Sequence, residues 1–199
     1  FRTYWKDTKS TFKQHGKWLV AIFVIGAILM FVLFGILFYL SSMLEDSYNI
    51  TGIKKGLYLA GPLAALCLAS YLTGRKIGSN IKAMKWTVFV GLLVVALAVI
   101  SLSFSEHFIY ILIIFLIGGI GIGVGLPCLD AIITESMDKE VRGTITCLYS
   151  SARYLGVAAG PPITAFVMQY DLLWMIVVFS VSIGVALFFS FFKIKPEAS

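Results

Sequence analysis

An all-α integral membrane protein of six transmembrane helices is the fold class this sequence predicts, and three observations predict it. Six long apolar stretches fill nearly all of the 199 residues. Short polar connections join them, and the basic residues crowd into alternate connections. A bilayer core about 30 Å thick takes roughly 20 residues of helix to cross. Lipid offers backbone groups no hydrogen-bond partners, so such spans must be helical. The composition agrees: 13% of residues are charged, against about 25% in soluble domains, and the mean hydropathy is +0.94.

Residues 1–17 form a basic segment in which Phe1, Tyr4, Trp5 and Phe12 recur near helical spacing. It suits either an amphipathic segment lying on the membrane surface or a linker with aromatic residues. The chain opens without an initiator Met, and the expectation is a piece of something longer. The spans are read as 18–42, 56–73, 86–104, 108–133, 144–168 and 172–192, with 193–199 as a tail. Trp86, opening the third, suits an interfacial anchor. The connections 105–107 and 169–171 are so short that they predict tight antiparallel hairpins. The fourth span carries Gly118, Gly119, Gly121, Gly123 and Gly125 before Pro127. Small residues four apart, such as Gly119 and Gly123, let helix backbones approach closely in lipid. Pro127 has no N–H and leaves a carbonyl near Gly123 free to bond elsewhere. The fifth span carries Gly156, Gly160, Pro161 and Pro162, a close-packing face followed by a predicted bend or hinge.

Charge distribution sets the expected orientation. Arg2, Lys6, Lys9, Lys13, Lys17, Arg75, Lys76, Lys82, Lys85, Lys139, Arg142, Lys193 and Lys195 fall on one side if the spans alternate; Lys54 and Lys55 fall on the other. The positive-inside rule then puts both termini in the cytoplasm. Basic residues divided among short membrane-hugging loops argue against nucleic acid. An enzyme finds no support, because the spans hold no His, no paired deep carboxylates and no nucleophile beside a base. His15 and His107 lie in loops. Cys67, Cys128 and Cys147 have no metal-ligand spacing, and neither a cofactor nor a metal is called for.

Asp130 and Arg153 are the charged residues well inside spans, where an unpaired charge costs at least a few kcal/mol. They differ in depth by about 8 Å at 1.5 Å per residue. Asp130 therefore has two candidate partners, Arg153 and Arg142, and Arg153 is expected to face a water-filled cavity. Tyr149, Ser150 and Tyr154 share one or two turns with Arg153, and Phe34, Tyr39 and Tyr58 add aromatic surface from other spans. Glu135, Arg142 and Arg75 sit at cytoplasmic span ends, where they form a candidate gate.

These residues carry a resemblance. Gly74-Arg75-Lys76 after the second span, Glu135 through Arg142-Gly143-Thr144, Tyr149-Ser150-Ser151-Ala152-Arg153-Tyr154-Leu155-Gly156 and Gly160-Pro161-Pro162 resemble one half of a major facilitator superfamily transporter, in its bacterial drug:proton antiporter branch. Thr73 through Gly78 lacks the Asp of the N-terminal halves, so the chain resembles helices seven to twelve, with residues 1–17 as the cytoplasmic linker. The resemblance implies two inverted three-helix repeats, although no residue-level repeat is evident. It also implies a bacterial inner-membrane location and alternating access. The partners implied are the lipid bilayer, a small-molecule substrate, protons and the N-terminal six-helix half. The expected function is proton-coupled efflux of lipophilic or amphiphilic compounds. The alternatives are uptake of a small anionic metabolite, with Arg153 holding the anion, or a free-standing six-helix protein that dimerises.

Overall fold

The computed structural model describes residues 2–78, 80–105 and 107–194; for residues 2–15 and 17 it describes the backbone alone. Six helices follow one another, with no strand among the described residues: α1 (Arg2–Asp46), α2 (Gly52–Lys76), α3 (Ile81–Ser101), α4 (Phe108–Ser136), α5 (Lys139–Met168) and α6 (Leu172–Phe192). Each predicted span lies in one of them, except that the third, read as running to Phe104, stops at Ser101, after which residues 102–104 turn. α1, α2, α4 and α5 run past their apolar stretches and α6 coincides with its own, while side-chain caps fix where α3 and α6 begin. Asn80 accepts from the Lys82 and Ala83 amides at the start of α3, and Asp171 accepts from Leu173 at the start of α6. Past α2 the chain turns at Gly78, whose φ of +50° suits glycine.

Among the described residues, five helices are long and apolar enough to cross a membrane by length and composition: the Trp18–Asp46 part of α1, α2, α3, α4 and α6. The exception is α5, 30 residues long but carrying Arg153, serines, tyrosines and prolines. The basic segment before Trp18 continues α1 as helix; its expected amphipathic face rests on side chains outside the described residues, as does most of the tail.

The principal crossings are α1 with α5, α2 with α4 and α3 with α4. Exchange α1, α2 and α3 with α4, α5 and α6, and α1/α5 becomes α4/α2 while α3/α4 becomes α6/α1, which also pack. The packing thus repeats where the sequence does not, in keeping with two three-helix repeats.

Glycine sets how close the two main crossings come. A Cβ on Gly156 would strike the Ala27 carbonyl oxygen and stand 3.1 Å from the Phe31 nitrogen; one on Gly160 would stand 2.9 Å from the Phe31 carbonyl oxygen. On α4, a Cβ at Gly119 would stand 2.5 Å from the Pro62 carbonyl oxygen, and one at Gly123 would strike the Leu66 carbonyl oxygen. Both seams are therefore backbone-to-backbone contacts, as small residues four apart permit. With lipid no less apolar than the interior, such close packing replaces the hydrophobic drive of a soluble core. α1 is the most enclosed helix, with Ile22, Ile25, Leu29, Val32 and Leu40 fully or almost fully buried. α2 is the most open, burying only Pro62 and Ala69.

Candidate functional site: a cavity walled by four helices

A cavity of about 530 Å³ lies among α1, α2, α4 and α5. α3 and α6 contribute nothing to its wall. Most of the lining is apolar, with Met30, Leu33 and Phe34 from α1 and Leu63 and Leu66 from α2. The polar groups are Ser70, Asp130, Ser150, Arg153 and Tyr154.

Asp130 and Arg153 meet here. Arg153 Nη1 lies 3.2 Å from one Asp130 carboxylate oxygen and 3.4 Å from the other. Their side chains are 50% and 25% exposed, Asp130 the more open. The two candidate partners of Asp130 are thereby sorted: it takes Arg153, while Arg142 turns to its own loop. Arg153 also faces the cavity, so pairing and cavity exposure occur together. Its Nε and Nη2 make no hydrogen bond among the described residues. The guanidinium carbon stands 5.5 Å from the centre of the Tyr149 ring, a cation–π distance. Tyr149 itself is buried behind the pair. Its ring packs against Phe23 at 5.9 Å and fills the space Gly26 leaves open. Its hydroxyl makes no hydrogen bond of good geometry among the described residues, although it stands close to Asp130 and Arg153.

Pro127 lies on the wall within an unbroken α4, and the carbonyl that this proline leaves free has a partner. Ser70 Oγ on α2 donates to the Gly123 carbonyl oxygen at 2.8 Å. The expectation for Gly123 thus holds, but Ser70, the donor, was not singled out from the sequence. Only the fold reveals it, because nothing local distinguishes Ser70 from any other serine in a span.

The remaining candidates divide. Phe34, Ser150 and Tyr154 line the cavity beside Arg153. Tyr39 packs edge-on against Phe115 at 6.0 Å, and Tyr58 against Phe108 at 5.2 Å, neither of them on the cavity wall. At the loop ends, Arg142 Nη2 donates to the Met137 carbonyl at 3.0 Å and so closes the α4–α5 turn. Arg75 bonds the Tyr71 hydroxyl at 3.1 Å and lies over its ring. Glu135 is exposed and makes no ion pair among the described residues. Arg75, Glu135 and Arg142 are not joined in this conformation. Gly156, Gly160, Gly119 and Gly123 occupy the helix seams, and α5 runs through Pro161 and Pro162 as one helix.

Comparison with known proteins agrees with this architecture. The profile of the Major Facilitator Superfamily matches residues 1–161. The chain is 43% identical over 195 residues to the bacillibactin exporter of Bacillus subtilis (strain 168), a match covering 98% of this chain and 48% of that protein. It is 28% identical over 116 residues to the arabinose-proton symporter of the same organism, covering 54% of this chain and 25% of that one. The chain spans about half the length of the exporter it matches.

Proposed function

Since this chain belongs to the Major Facilitator Superfamily, we propose that it forms the C-terminal six-helix half of a proton-coupled exporter working by alternating access. It is a multi-pass membrane transporter protein rather than an enzyme. The direction of transport and the cargo are carried over from the relative that exports bacillibactin, and the cargo is read as an amphiphilic small molecule. One observation carries this reading: a largely apolar cavity whose wall holds a single ion pair, Asp130–Arg153. The apolar wall suits the body of such a molecule. Arg153, with Nε and Nη2 uncommitted, suits a polar or anionic group on it.

Asp130 is the carboxylate this half offers for coupling. With Asp130 ionised, Arg153 is held to the wall; a proton on Asp130 neutralises it and leaves the guanidinium to the cargo. Proton entry and cargo binding are thereby linked through one pair. The second half would close the cavity on the open side of α2 and α5. Gly156 and Gly160 would form the seam about which the bundle rocks, and Arg75, Glu135 and Arg142 would meet only when the cytoplasmic side closes.

The test is export by the full-length protein in proteoliposomes under an imposed pH gradient. Asp130→Asn should leave downhill exchange of cargo and abolish its dependence on the gradient. Arg153→Ala should lose transport with assembly intact. Gradient-driven export retained by both variants would refute the reading. A second reading, uptake of a small anionic metabolite, is favoured by those same free donors of Arg153; cargo accumulating with the proton gradient instead of against it would select it.

A further inference from the structure

At the end where α3 begins and α6 finishes, an amine and a row of aromatic rings are built into one seam. Lys85 Nζ donates to the Phe191 carbonyl oxygen at 3.1 Å, which pins a cation to the last turn of α6. Rings continue from one helix to the other: Trp86 to Phe89 at 5.8 Å, Phe89 to Phe191 at 5.9 Å and Phe191 to Phe192 at 5.0 Å. Trp86 and Phe192 are 57% and 56% exposed, so the row faces outward. Lys82, one turn before Lys85 and Trp86, and Lys193, just past α6, are exposed at the same end. Neither helix contains an Asp or a Glu, and none of the three lysines is in an ion pair among the described residues. The start of α3 is already capped by Asn80.

We propose that this seam binds one anionic phospholipid, its phosphate among Lys82, Lys85 and Lys193 and its acyl chains along Trp86, Phe188 and Phe192. The charge complementarity decides the occupant. A protein partner for so apolar a row would have to lie in the bilayer, whereas a lipid brings a phosphate at the lysines and hydrocarbon at the rings by its own structure. Aromatic residues at the interface and lysines just beyond it are the groups that hold such a lipid. Lys85 is the fixed member, because its carbonyl bond orients it and leaves two N–H donors. The site is built on α3 and α6, which take no part in the cavity wall, and is independent of the transport reading.

The test is native mass spectrometry of the full-length protein presented with equal amounts of phosphatidylglycerol and phosphatidylcholine of the same acyl chains. The wild type should retain phosphatidylglycerol selectively. Lys82→Ala with Lys193→Ala should weaken that retention by about twenty-five-fold, at about a fivefold loss per lysine. Lys82→Arg with Lys193→Arg should keep it, and Lys54→Ala at the opposite end should not change it. Equal retention of the two lipids by the wild type, or undiminished retention by the double alanine variant, would overturn the proposal.

Discussion

Gly156→Ala isolates the closest helix crossing. The added methyl would strike the Ala27 carbonyl oxygen and stand 2.9 Å from the Ala27 carbonyl carbon and 3.1 Å from the Phe31 nitrogen. All three are backbone atoms of α1, so no rotamer change relieves them. To bring the carbonyl carbon alone out to an ordinary 3.4 Å, α5 must retreat by about 0.5 Å along the seam. Overpacking of that kind costs about 1–3 kcal/mol, roughly 5- to 150-fold in the folded-to-unfolded ratio. Gly184→Ala is the matched control: it lies within α6, nothing stands within 4 Å of its would-be Cβ, and alanine's better helix propensity favours the variant by up to about 1 kcal/mol. Thermal unfolding of the detergent-purified protein, followed by the fraction that stays monodisperse, compares the two. Gly156→Ala should melt below the wild type and Gly184→Ala at or above it. If Gly156→Ala melts with Gly184→Ala, the α1–α5 seam is not a backbone contact and its packing has been misread.

Other perturbations follow from the same geometry. Ser70→Ala removes the donor to the Gly123 carbonyl and should destabilise the α2–α4 seam by about 0.6 kcal/mol, and no more than about 1.7, in a chemical-unfolding titration; no loss at all would mean that the carbonyl finds another donor. Tyr149→Phe deletes a buried hydroxyl that makes no hydrogen bond of good geometry among the described residues, so the melting temperature should stay level or rise, and a clear fall would reveal a bond to its neighbours Asp130 or Arg153. A double-mutant cycle on Asp130→Asn and Arg153→Ala should give a stability coupling below about 1 kcal/mol, because the pair faces the cavity and is partly exposed. A larger coupling would make it a structural tie and would weaken the transport reading.

The helical spans and the free carbonyl ahead of Pro127 were legible because each rests on local chemistry: apolar runs of bilayer length and a missing N–H. The meeting of Asp130 and Arg153 was legible as one of two choices, since two charges at depth must find company. Which choice holds depends on how α4 is rotated, and no linear pattern encodes that. Rotation also explains Tyr39 and Tyr58. Their residue type suits a cavity, but their positions on α1 and α2 turn them toward Phe115 and Phe108. The candidate gate illustrates a different limit. Arg75, Glu135 and Arg142 were grouped by proximity to one membrane face, yet Arg75 is drawn to Tyr71 and Arg142 to the Met137 carbonyl. Local partners win for long side chains at a water interface, where a distant ion pair is worth little.

The hydropathy deficit of α5 carries its own functional information. A helix surrounded by lipid could not hold Arg153, Ser150 and Tyr154 on one face, because each polar group would face hydrocarbon without a partner. α3 and α6, which take no part in the wall of this cavity, contain no charged residue beyond the first turns of α3. α5 holds a charge near its middle because that part of the helix faces a polar patch of the cavity. Its shortfall against the other spans is therefore a consequence of the cavity. It predicts that replacing Ser150, Arg153 and Tyr154 together by leucine would make α5 as lipid-compatible as its neighbours, leave the helix inserted, and remove the site. Correct insertion without transport would support that account. Failed insertion would mean instead that these polar groups are needed to assemble α5 against α1 and α4.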